Sequence, residues 1–174
     1  MAINDDLIED YRVIITNTLL SNDLIVEILG DGKYTIDECD ELLSGDDPRI
    51  LPYQFVPDTI TEAGSYIMYD MEENAIFARN STASTYTEVT LYFWLVTHKK
   101  RVRHKGRLTQ DILVRELKKE FGEQDGLGIA KNHFVFNRLF NVGNNNYVGR
   151  LVRFTITDWS DKIRQRALEQ EKNE

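Results

Sequence analysis

The sequence predicts one α/β or α+β domain, residues 1–160: helices first, then a mixed or antiparallel sheet with one main covering helix, and a C-terminal hairpin. Three observations predict it. The 174 residues suffice for a single apolar core without staples. Tyr86 to Thr97 is the longest β-branched and aromatic run, apolar on both sides of the pleat at its centre, which reads as the central strand of a sheet covered on both faces. Leu108, Ile112, Leu113, Val114, Leu117 and Phe121 then recur at helical spacing, with Asp111, Arg115, Glu116, Lys118, Lys119 and Glu120 opposite, so a helix over Leu108–Phe121 can lie on that sheet.

Taken in order, Leu7, Ile8, Tyr11, Ile14, Ile15, Thr18 and Leu19 follow the helical period, and Asp5, Asp6 and Glu9 sit where the helix dipole favours acids. Ser21-Asn22-Asp23 supplies caps for a second helix with Leu24, Ile25, Ile28 and Leu29, which Gly30-Asp31-Gly32 stops. Thr35 and Glu38 form a capping-box pattern opening a third helix, containing Cys39 and ending at Ser44-Gly45. All three prolines, Pro48, Pro52 and Pro57, fall between Asp46 and Ile60 and predict an extended surface loop. Its apolar members, Tyr53 and Phe55 among them, suit contact with a partner or the core. Gly64–Asp70 reads as a strand, Glu72-Glu73-Asn74 as its turn, and Arg79–Ser84 as a loop. Beyond the main helix, His133–Phe140 and Tyr147–Trp159 flank the Asn-rich stretch 141–146 and predict a hairpin, in which Arg150 and Thr155 break the alternation. Asp161–Glu174 reads as a charged tail.

Electrostatics single out one place. The chain carries a formal charge of −8, yet His98 to Arg107 holds six cations, Lys99, Lys100, Arg101, Arg103, Lys105 and Arg107, with two of the three histidines. Overall acidity argues against affinity for nucleic acid along the whole surface, leaving this patch as the one that could meet phosphates or a partner's carboxylates. With Val102 its only aliphatic member, burial cannot hold the loop, so its charges must find partners on a neighbouring molecule. The lone Cys39 excludes an internal disulfide and a cysteine zinc cluster. No apolar run reaches membrane-spanning length and the N-terminus is acidic, so a soluble protein without a signal peptide is expected.

Signals for chemistry are sparse. Asp31, Asp37, Glu38, Asp40 and Glu41 do not follow the EF-hand register. Gly126 and Gly128 lack the remainder of a phosphate loop, and His98, His104 and His133 lack metal-ligand spacing. No nucleophile elbow, Walker loop or dinucleotide fingerprint occurs. No enzyme, cofactor or metal is therefore expected, and a structural or interaction protein is favoured.

The order Thr61-Glu62-Ala63-Gly64-Ser65-Tyr66-Ile67, a strand ending Val96-Thr97-His98, the amphipathic helix, Gly126-Leu127-Gly128-Ile129-Ala130-Lys131, then Tyr147-Val148-Gly149 running into Arg153–Asp158, resembles the tail-terminator and head-tail joining proteins of tailed-bacteriophage necks. The likeness spans Asn17 to Trp159. It implies an α/β sandwich and a virion protein, assembled in the host cytoplasm. Such a subunit forms a homo-oligomeric ring, commonly a hexamer, between the tail tube and the head connector, around the channel through which genomic DNA passes. It implies no membrane partner. The basic stretch 99–107 exceeds what the family leads one to expect, which leaves its role open. Two alternatives stand beside the neck reading: a small nucleic-acid-binding module using these cations on phosphates, and a metal-dependent nuclease using acidic residues and Lys131. The loop lacks the interleaved aromatics that stacking on single strands requires.

Overall fold

A computed structural model describes residues 7–53, 63–76, 86–122, 127–128, 132–142 and 146–159. Helices α1 (Leu7–Leu20) and α2 (Asp23–Leu29) come first, then the one-turn α3 (Glu41–Ser44) and a short strand β1 (Ile50–Leu51). Long strands β2 (Ser65–Ile76) and β3 (Tyr86–His98) follow, then a small hairpin of β4 (Arg103–His104) and β5 (Arg107–Leu108), helix α4 (Thr109–Gly122), and strands β6 (His133–Phe140) and β7 (Tyr147–Trp159). The main sheet has the order β1-β2-β3-β7-β6, antiparallel except that β1 runs parallel to β2. The fold is thus α+β, as the sequence predicts, with β3 at the centre.

Side chains alternate across the sheet, and register assigns each to a face. One face, formed by Ile67, Tyr69, Met71, Val89, Leu91, Phe93, Leu95, Val152, Phe154 and Ile156, meets the buried stripes of the helices. Phe93 lies at its middle, with ring centroids of Phe121 at 5.1 Å, Phe154 at 6.0 Å and Tyr69 at 6.1 Å. In α1 the buried stripe is Tyr11, Ile15 and Leu19, one residue every four; Ile14, assigned to the same stripe by periodicity, sits at its exposed rim. Asn22 caps α2 by accepting from the Ile25 N–H, while its amide donates to Glu120 of α4 at 2.9 Å, joining the two helices. Arg150, an apparent break in the β7 pattern, faces the helices at the sheet's margin and pairs with Asp111 of α4 at 3.2 Å.

The opposite face is covered only at one end. There Leu51, Tyr66, Met68, Val96, Val142 and Tyr147 form a second small cluster, against which Trp94 and Phe140 are half-buried. Among the described residues the helices cover one face only, so the aromatic run of β3 divides into a buried core-facing set and a set, Tyr92 and Trp94, that is half-buried on the other face.

Other expectations are corrected as well. Glu72 to Asn74 do not turn: they continue β2, paired through Ile76 with Tyr86, because β3 offers a full-length ladder for the whole run. The third helix breaks into a 3₁₀ turn at Ile36–Glu38 and the single turn of α3, with Cys39 between them. Glu38 does accept from the Thr35 N–H at 3.4 Å, but its own N–H donates to the Thr35 carbonyl rather than the side chain, so only half of the capping box forms, on one short turn. In the proline segment Ile50 and Leu51 are not loop but a buried strand against Ile67 and Met68. Leu108 belongs to β5, before α4 begins, and is exposed. Phe55, Arg79–Ser84, Lys131 and Asp161–Glu174 lie outside the described residues.

Candidate functional site

The basic stretch is built rather than loose. After β3, Lys99–Arg101 form a 3₁₀ turn capped by the His98 ring, whose Nδ1 accepts from the Lys100 N–H at 3.1 Å. Lys105 and Gly106 take positive φ, 47° and 83°, the geometry a two-residue hairpin turn requires, and so β4 and β5 pair. The turn is anchored below by Thr109, whose hydroxyl donates to the Arg101 carbonyl at 2.6 Å. This hairpin lies against the C-terminal end of α2. Lys105 reaches Glu27 at 2.7 Å, His104 Nε2 stands 3.5 Å from the same carboxylate, and Arg101 is 3.4 Å from Asp31. The Lys105 hydrogen bond, with the nearby charges of Lys105 and His104, lowers the Glu27 pKa below its ordinary value despite partial burial. Between hairpin and helix remains a cavity of about 150 Å³ lined by Glu27, Asp31, Arg101, Arg103 and His104, with both signs of charge on its wall.

Two of the six cations thus find carboxylates within their own chain, contrary to the expectation that all must look to a neighbour. Arg103 donates to the Gly106 carbonyl at 3.2 Å while remaining exposed, and Lys99, Lys100 and Arg107 are exposed beside it. These four form the outward-facing part of the patch. Tyr53, the described member of the expected partner-contact pair, is 51% exposed just after β1.

A second surface was hidden from sequence reasoning. β6 is an edge strand: it pairs with β7 on one side, and among the described residues nothing pairs with the other. It is also exposed along much of its length, with Leu139 at 79%, and Val135 and Phe134 exposed too. A bulge at Val135 interrupts its register. Phe134 still meets Phe154 edge-on at 5.8 Å and carries the Lys118 ammonium 3.7 Å above its ring. A long apolar edge invites pairing with another chain. The alternating pattern of this run identified a strand but could not identify it as an edge, since that depends on which strands flank it.

Among the described residues no group of three or more His, Cys, Asp or Glu is placed to hold a metal, and no helix is long and apolar enough to cross a membrane. What the geometry of the described residues offers is contact surface: a basic hairpin tip, a sheet edge that no described strand pairs and a sheet face that no described helix covers.

These surfaces sit on an α+β protein. Residues 12–156 match the model of the YomW family, which is phage-derived, and the chain belongs to that family. A search of curated proteins finds no match.

Proposed function

We propose that the protein is a structural subunit of a bacteriophage neck, a tail terminator that closes into a ring between tail tube and head connector. Membership of a phage-derived family supports this reading and leaves the role within the phage open. The observation that carries the reading is β6. A subunit that exposes Leu139, Val135 and Phe134 along an edge that no described strand pairs is suited to a state in which a neighbour covers that edge. Subunits each at −8 repel, and Lys99, Lys100, Arg103 and Arg107 supply the cations that a neighbour's acidic surface needs. The role asks for no catalytic group and no cofactor: it needs surfaces that close on copies of themselves and on the tube and connector, with DNA passing through the channel.

The test is to add the purified protein to tail tubes and image the tube ends. A closed ring with rotational symmetry, and tubes that no longer elongate, is the expected result. Single copies without rotational symmetry, or tubes that grow unaffected, would reject the reading.

A further inference from the structure

We propose that the face of the sheet that no described helix covers docks a second copy of this chain, sheet against sheet, about a two-fold axis running along β3. The face is composed as interface centres are, with Tyr, Trp and Arg prominent. On β3, Tyr92 and Trp94 stack with centroids 5.7 Å apart, both half-buried. On the β7–β6 side, the Arg153 guanidinium lies 5.8 Å from the Tyr92 ring centroid, and Arg138 lies 4.8 Å from that of Phe136. On the β2 side, Glu72 is exposed and accepts from the Tyr92 hydroxyl at 3.1 Å.

Charge on the flanking strands of this face is therefore sorted, with acid on β2 and arginine on β7 and β6, while the central β3 carries the aromatics and, two same-face steps from Tyr92, Glu88. That sorting selects the partner and the axis. A two-fold along β3 lays β7 of one copy over β2 of the other while keeping height along the strand. Arg153 shares its row with Tyr92 and Asp70, so it arrives above the partner's β2 within one same-face step of Glu72. The contact occurs twice, and the Tyr92–Trp94 stacks meet at the axis. The other in-plane two-fold, across the strands, would set β2 on β2 and acid on acid. Asp70 is engaged by Arg12 at 3.0 Å, which leaves Glu72 as the carboxylate facing Arg153. The open edge of β6, with Phe134 and Leu139 on the opposite face of the sheet, stays outside this contact, so the dimer and the proposed ring use different surfaces and stand or fall separately.

The experiment needs only the isolated full-length protein, without tail tubes. Trp159→Phe makes Trp94 the sole tryptophan of two, so its emission reports the face. Sedimentation is expected to show a dimer that dissociates on dilution, with Trp94 emission shifting to the blue as the dimer forms. Arg153→Glu and Glu72→Arg should each weaken the dimer roughly tenfold or more, because each places like charges opposite one another twice. Mixing the two variants, or combining both changes in one chain, should restore it, because every contact again joins opposite signs. Thermal melting of each variant establishes that it is folded. A monomer up to the solubility limit, single variants that dimerise like the wild type, or a mixture that fails to recover overturns the proposal. So does a single-stranded oligonucleotide that quenches Trp94 in the monomer through Arg153, which would make the face a nucleic-acid surface.

Discussion

The Tyr11 hydroxyl, in the first helix, donates to the Asp158 carboxylate at the end of the last strand, a 2.5 Å bond spanning 147 residues of sequence and buried under α1. It fastens the first described element to the last. Tyr11→Phe keeps the ring and removes the donor, leaving a buried carboxylate short of one partner. We predict a loss of about 1–3 kcal/mol, read as a lower melting temperature with unchanged circular dichroism at low temperature. Unaltered melting would show that the bond does not hold the ends together.

At the opposite end of the sheet, Arg49 is buried with its guanidinium 4.6 Å from the Tyr66 ring and beside Asp47. It fits because residue 64 has no side chain: a Cβ on Gly64 would lie 1.1 Å from Arg49 Nη1. Gly64→Ala must expel the guanidinium, and we predict a cost of about 1–3 kcal/mol in denaturant unfolding. Gly122, which has no positive φ and where a Cβ would come no closer than 3.4 Å to Phe154, is the control. If alanine at 64 costs no more than alanine at 122, close packing against Arg49 is not what this position requires.

Neighbours on β3 should behave oppositely. Phe93 is fully buried among Tyr69, Phe121 and Phe154, and Phe93→Ala should cost about 3–5 kcal/mol. Trp94 points to the face that no described helix covers and is only half-buried, so Trp94→Ala should cost less than half as much in the same unfolding assay. Equal losses would contradict the division of the strand into two faces.

Acid should loosen the clasp between hairpin and α2. Folding lowers the Glu27 pKa below about 4.5, chiefly through Lys105. A group whose folded pKa is depressed contributes stability that is present above its unfolded pKa and lost as pH falls through the folded one. Glu27→Gln should therefore be the less stable protein at neutral pH, with its melting temperature converging on that of the wild type below pH 4.5. A constant difference across that range would remove Glu27 ionisation as the cause. Glu116 adds to the same window: burial alone would raise its pKa, but the Arg115 and Asn22 hydrogen bonds and the charges of Arg115 and Lys119 bring it down.

For the outward cations, Lys99, Lys100, Arg103 and Arg107 changed together to Glu should leave melting within about 1 kcal/mol, since exposed pairs contribute little. The same variant should fail to join heads to tails, and the wild-type junction should weaken as salt rises. Normal joining followed by failed DNA ejection would assign these charges to the channel instead. Arg101 and Lys105 are left out because they hold the hairpin to Asp31 and Glu27.

What could be read from the sequence was whatever local pattern determines. The bounds of β6 and β7 follow from alternation and turn chemistry, and the position of β3 from its β-branched and aromatic run. What could not be read depends on tertiary placement. Glu72-Glu73-Asn74 has turn composition and was overridden by the ladder on β3; Ile50 and Leu51 look like loop until β2 provides an edge. The six cations were visible, but their division into paired and free depends on α2 delivering Glu27 and Asp31 beneath the hairpin. The charge sorting on the face that no described helix covers is not visible in the linear order either, because β2 and β7 flank β3 only once the sheet has formed.

The seam between β3 and β7 also sets the order of folding. β2 with β3, and β6 with β7, are pairings between successive long strands, whereas β3 and β7 lie on either side of α4 and β6. Joining them closes the longest loop of the central ladder, and that entropy is spent before the Phe93–Phe154 contact repays it. The two halves can form early and independently, each with one apolar strand still open, so the interval before the seam closes is when a newly made chain is most prone to pair with another copy by mistake.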